Sequence, residues 1–186
     1  MTPLLKFSRF SDTHPSALDA VLCLDQGVAL LRNLNDEQFV TTFPPMFRSG
    51  LGAHVRHVVD HVDCLLSGLE NGVVNYDHRE RAVRTERDRV YAIDQLIKRM
   101  ERLGALKATS RDTALRIHMD TGCGQVQWAD SSLTRELQFV ISHTIHHYAL
   151  MAAILVHANL DVPKDFGVSP STLRHRLAIA PEPIDT

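Results

Sequence analysis

Between Ser132 and Asn159 the chain runs SLTRELQFVISHTIHHYALMAAILVHAN, 28 residues without a glycine or a proline. The run opens after Asp130-Ser131-Ser132, three residue types that cap helices, and Glu136 falls near the positive end of the helix dipole. One long helix is predicted. At roughly 100° per residue, His143 and His147 lie about 40° apart, with Val140, Met151 and Ile154 within about 40° of His147. Two imidazoles at i, i+4 on an apolar stripe can converge on one ion. The opposite face carries Ile145, Ala149, Ala152 and Val156. A helix apolar on both sides needs cover on both, so a homodimer using this face is expected.

The chain before it offers three more amphipathic segments. Pro15–Asn33 reads as a helix with Leu18, Val21, Leu22, Val28 and Leu31 inward. Leu34–Ser49 contains Phe43-Pro44-Pro45 and reads as a loop. Gly50–Leu69 is the second helix, its core side marked by Leu51, Val55, Val58, Val62, Leu65 and Leu69 and its end by Asn71-Gly72. Val73–Thr85 is a polar, arginine-rich crossover. Glu86–Leu103 is the third helix, with Val90, Ile93, Leu96, Ile97 and Met100 on its buried stripe. Thr113–Trp128 alternates at Leu115, Ile117, Met119, Val126 and Trp128 and is expected to form a short hairpin before the last helix. The proline-bearing tail, 161–186, is expected to be largely irregular. Four amphipathic helices in one domain spanning 1–186 imply an all-α four-helix bundle.

Net charge of −2 gives no reason to expect nucleic acid or an anionic membrane as partner. His143, His146, His147 and His157 interrupt the longest apolar run, so no membrane span is expected, and the N-terminal residues lack the apolar core of a signal peptide. Cys23, Cys64 and Cys123 are odd in number and form no C-x-x-C pair, which points to the cytoplasm. Six of the eleven histidines fall in two tight clusters, 54–61 and 143–147, and the site is sought there.

Ser49-Gly50-Leu51-Gly52-Ala53-His54-Val55-Arg56-His57-Val58-Val59-Asp60 resembles the start of the second helix of the DinB/YfiT-like family. In that family a glycine stands five positions before a metal-binding His, and an acidic residue often follows the His by three. Gly52, His57 and Asp60 fill those places, and His143-Thr-Ile-His-His147 matches the family's H-x-x-x-H. Many members continue with Arg-Gly-Gln; this chain has Tyr148-Ala149-Leu150. The resemblance implies an up-down-down-up bundle, frequently dimeric, with a divalent metal held by His57, His143 and His147. It also implies activities ranging from thiol transfer to amide-type hydrolysis.

On the helical wheel His54 and His61 lie nearer the apolar stripe than His57, so His61 stands as the alternative ligand. His54 and Asp60 stand with it as further alternatives or as groups that orient a ligand imidazole. An all-imidazole set suits Zn²⁺, Ni²⁺ or Fe²⁺. Three protein ligands would leave a position open for water or a thiol or amide substrate. Cys64 reads as a small buried residue. The stretch 76–89, from the crossover into the third helix, reads as a solvated charge run, with an anion-reading lid of Arg79, Arg81, Arg84 and Arg87 as the other reading. Asp165–Arg174 has the look of a helix-turn-helix end, but Pro163 and Pro170 break the frame. The function expected is therefore a divalent-metal protein, as a metal-dependent enzyme. A structural, dimeric metalloprotein is the alternative, and DNA binding through the tail is a third reading.

Overall fold

The computed structural model describes residues 12–109, 112–122, 124 and 126–178. The fold is mostly helical, with seven helices and a small three-stranded sheet among those residues. Four long helices carry the core: α1 (Pro15–Arg32), α3 (Leu51–Gly68), α5 (Arg89–Gly104) and α6 (Leu133–His157). Each of α1 and α3 packs on both α5 and α6, which closes a ring of contacts around one apolar interior. Leu24, Leu31, Val58, Leu65, Leu96, Leu137, Met151 and Leu155 are all essentially inaccessible inside it.

Local chemistry explains most boundaries. Pro15 opens α1 in its first turn, where its missing N–H costs nothing. Ser132 caps α6 by accepting from the Arg135 amide, and Asp88 caps α5 by accepting from Tyr91. Several features differ from the sequence expectation, among them Leu22 of α1, which is 39% exposed rather than inward. A short helix, α2 (Asp36–Val40), stands in place of the expected loop, because Asn35 and Gln38 form a reciprocal capping box ahead of the prolines. A separate turn of helix, α4 (Val83–Arg87), precedes α5, which starts at Arg89 rather than Glu86. With that later start Val90 is 64% exposed, not buried. In the tail expected to be irregular, Pro170–Ala178 forms a further helix, α7. Cys123 and residues 179–186 lie outside the described residues.

A hairpin forms, with its second arm later than expected: β2 (Ala114–His118) pairs antiparallel with β3 (Trp128–Ser132), which begins where the expected Thr113–Trp128 stretch ends and runs directly into α6. A third strand, β1 (Val73–Asn75), joins β2 in parallel, with Val74 opposite Ile117. Val74 is fully buried and Tyr76 nearly so, and the sheet thereby pins the start of the crossover to the body.

By length and composition α6 is apolar enough to cross a membrane, contrary to the expectation that its histidines would prevent this. A core helix passes the same test, and α6 buries Leu137, Val140, Tyr148, Met151 and Ile154 along with Glu136 and Thr144. Part of its outer face is covered by the chain's own tail. Phe166 stacks on Tyr148 with ring centroids 4.7 Å apart. A Cβ at Gly167, which adopts φ +72°, would stand 2.6 Å from the Ala149 backbone nitrogen.

The crossover's far end is held by a similar close approach. A Cβ on Gly52 of α3 would overlap the backbone oxygen of Glu86 in α4. Only glycine lets α4 come this near. Gly52→Ala should therefore lower stability by about 1–3 kcal/mol, as overpacking does, measured by urea unfolding. An unchanged midpoint would show that α4 is free to move aside.

Candidate metal centre

Helix α3 brings His54, His57 and His61 to one side at spacings of three and four, and α6 does the same with His143 and His147. Packing of α3 on α6 sets the two groups face to face. Ring centroids are 5.0 Å apart for His57 and His143, 4.5 Å for His57 and His147, and 4.6 Å for His143 and His147. Each of these three offers a ring nitrogen within 4.8 Å of the other two, so the group can hold a metal ion. A tetrahedral zinc with bonds of about 2.05 Å needs nitrogens about 3.4 Å apart.

The donor set fits an ion at the level of single atoms. Nε2 of His143 is buried and has no hydrogen-bond partner among the described residues, a cost that a ligand in the cluster would remove. Nδ1 of His147 lies 2.9 Å from Nδ1 of His54, so one of these nitrogens donates and the other accepts. With the proton on His147, its Nε2 carries a free lone pair and His54 fixes its tautomer, as partners of ligand imidazoles commonly do.

His61 is the most buried of the cluster, 5% exposed, and donates from Nδ1 to the His57 carbonyl at 3.0 Å. Its ring lies against His57 and His143 and stacks over Tyr76, but it is not in the group of three. His61 does face inward, as the wheel has it, while the group of three takes His57 from α3. His146 is exposed, 5.3 Å ring to ring from His147. Asp60 is buried and hydrogen-bonds to no imidazole among the described residues. Burial raises its carboxyl pKa, while the charges of Arg56 and Arg79 act the other way. Asp63 is engaged by Arg99, at 2.5 Å, and by Arg102. Cys64 is half-buried, donates to the His78 carbonyl, and burial pushes its thiol up to about 11.

Two supports were not legible in the sequence. Tyr76 donates to Glu136 at 2.8 Å, and Ser131 donates to the same carboxylate at 2.6 Å, which fixes the ring on which His61 stacks. Arg79 reaches out of the crossover and donates from Nη1 to Nδ1 of His57 at 2.9 Å. Arg84 instead pairs with Asp88 and covers Tyr91. A cavity of about 710 Å³ lies beside the crossover, with Arg79, Asp60, Cys64 and His78 in its wall. Arg79 is the residue in that wall that touches the histidine cluster.

Burial, then the neighbouring imidazoles and the Arg79 charge, hold His57 at about 2. Burial and the His61 field hold His143 at about 4, and burial and His143 hold His147 at about 3. All three are neutral at pH 7, the form that binds metal.

Two comparisons bear on this arrangement. The family model described as the DinB superfamily matches residues 23–151, which include both histidine clusters. FK506-binding protein 5 of Rhizopus delemar is 38% identical over 105 residues, a stretch covering 55% of this chain and 27% of that protein. The match therefore spans about a quarter of that relative's length.

Depressed imidazoles make stability depend on pH with a definite sign. Unfolded histidines take up protons near ~6.5 while the folded cluster does not, so stability falls as pH drops below that value. The loss should continue to about 4 for His143, and on to about 3 for His147 and about 2 for His57. Melting temperature of chelator-treated protein from pH 7.5 to 4.5 should fall throughout this window. A flat profile would mean that water reaches the cluster freely.

Proposed function

The chain belongs to the DinB superfamily, and from that premise we propose that it is a divalent-metal protein in which His57, His143 and His147 hold the ion. The observation that carries this reading is the buried, unpartnered Nε2 of His143, in a side chain that shares one small space with the other two imidazoles. The four long helices are proposed to form an up-down-down-up four-helix bundle, in keeping with their ring of contacts and the long crossover between α3 and α5.

The reaction proposed is transfer of a thiol or hydrolysis of an amide-type bond. The ion, Zn²⁺, Ni²⁺ or Fe²⁺, would supply Lewis acidity and a lowered pKa for a bound thiol or water. This chain's own residues do the positioning. His54 keeps the proton on Nδ1 of His147, and His61, held by the His57 carbonyl and the Tyr76 ring, backs the His57 and His143 rings. All three ligand residues are half-buried, so a fourth position would face space rather than a sealed core. A structural role is favoured by one observation: the three imidazoles come from two different long helices, which an ion would tie together. A homodimer is proposed through the outer stripe of α6 (Ile145, Ala149, Ala152 and Val156), of which Val156 is 66% exposed; light scattering showing a monomer at micromolar concentration would exclude it.

The test is metal content of untagged protein together with variants. Wild type should carry about one ion per chain, and His143→Ala or His147→Ala close to none. His54→Ala should weaken binding about 10–100-fold, the usual effect of removing an orienting partner. His61→Ala should keep its metal. Full retention by His147→Ala would refute the site, and loss in His61→Ala would move the α3 ligand from His57 to His61. Melting with and without the ion separates the two roles, since a structural ion raises the midpoint strongly.

A further inference from the structure

Arg79 is in direct contact with the cluster, and its hydrogen bond has a strict chemical consequence. A guanidinium has donors only, so Nδ1 of His57 must accept from it, at 2.9 Å. A neutral imidazole has one lone-pair nitrogen. If that nitrogen serves Arg79, the proton sits on Nε2 and neither nitrogen is free for a metal. An ion on Nε2 forces the proton to Nδ1, where it points at a donor; an ion on Nδ1 takes Arg79's place. The Arg79 contact and coordination through His57 exclude one another, unless the ring loses both protons.

A displaced Arg79 has somewhere to go. Asp60 lies one turn along α3 from His57, is 6% exposed and makes no hydrogen bond among the described residues. It lines the cavity of about 710 Å³ that Arg79 also borders, beside Asp63 and Glu80. Nε of Arg79 is itself buried and without a partner, so the observed pose leaves the guanidinium only partly satisfied. The segment carrying it is fastened at both ends, by pairing of β1 with β2 and by α4 on Gly52, while residues 78–82 between them are largely free of regular structure.

Resting on the three-imidazole reading, we propose that Arg79 is a gate on the metal centre: it competes with the ion for His57 and transfers its guanidinium to Asp60 when the ion binds. Such an exchange makes loading depend on Arg79. A cation arriving at the cluster must displace a charge-assisted hydrogen bond, and the Asp60 carboxylate offsets that loss only if Arg79 completes the move.

Zn²⁺ affinity of four full-length proteins, by competition with a chromogenic chelator, tests the exchange: wild type, Arg79→Ala, Asp60→Asn and the double variant, each checked for folding by circular dichroism. Arg79→Ala should bind about tenfold more tightly, from removal of one hydrogen bond to a charged group. Arg79→Gln, which keeps a donor and loses the charge, should also gain affinity. Asp60→Asn should bind about tenfold more weakly than wild type, yet within about twofold of Arg79→Ala when combined with it, because Asp60 acts through Arg79. Equal or weaker binding by both Arg79 variants would overturn the gate and leave the metal reading intact. So would an Asp60→Asn loss that persists in the double variant, which marks a direct field of Asp60 on the ion. No binding by any of the proteins would overturn the gate and the metal reading together.

Discussion

The contact between α3 and α6 is the interaction on which the rest of this protein depends. Most helix pairs in a core meet through aliphatic residues, whereas here five imidazoles share the seam with Val58, Val62 and Val140. Burial strips water from the rings and keeps them uncharged, with pKa values pushed well down for His57, His143 and His147. An uncharged cluster can stay inside a helix interface, and a charged one would drive the helices apart. The same burial that makes the interface tolerable also presents neutral nitrogens to an ion.

The crossover between α3 and α5 is where the fold departs from a plain set of helices. It is tied down by backbone pairing at β1, by the Tyr76–Glu136–Ser131 hydrogen bonds and by the close approach of α4 to Gly52. Asp77 adds a further tie by accepting from the Asp120 amide at 2.6 Å. These anchors hold a short polar segment over the histidine cluster and bring Arg79 to His57. Glycine at position 52 thus has a physical role: it admits the α4 backbone, and through α4 it fixes how far the crossover can lie from the site.

Helix α6 serves two surfaces. Its inner stripe builds the core and the site, and the tail covers part of its outer side through Phe166 on Tyr148 and Gly167 on Ala149. The demand for cover on a second face is therefore met in part within one chain. Ile145 and Ala152 of the outer stripe are half-buried, and what stays open is a narrower patch around Ala153 and Val156.

The sequence by itself determined the four long helices and the two histidine groups. Periodicity, caps and breakers act within a few residues, and an i, i+4 pair on a helix is fixed by helix geometry alone. The family resemblance singles out His57, which periodicity alone passes over for His61. Tertiary structure decided the rest. β1 is three residues long, too short for alternation to show, and it exists because β2 is there to pair with it. α2 and α4 are single turns set by a capping box and by packing on Gly52. Arg79 reads as one charge among many in a polar run, and nothing local distinguishes it from Arg84 or Arg87. Its contact with His57 joins residues 22 apart whose meeting depends on two anchors elsewhere in the chain. A contact of that kind is fixed by where the helices and strands pack, and no short window of sequence contains that information.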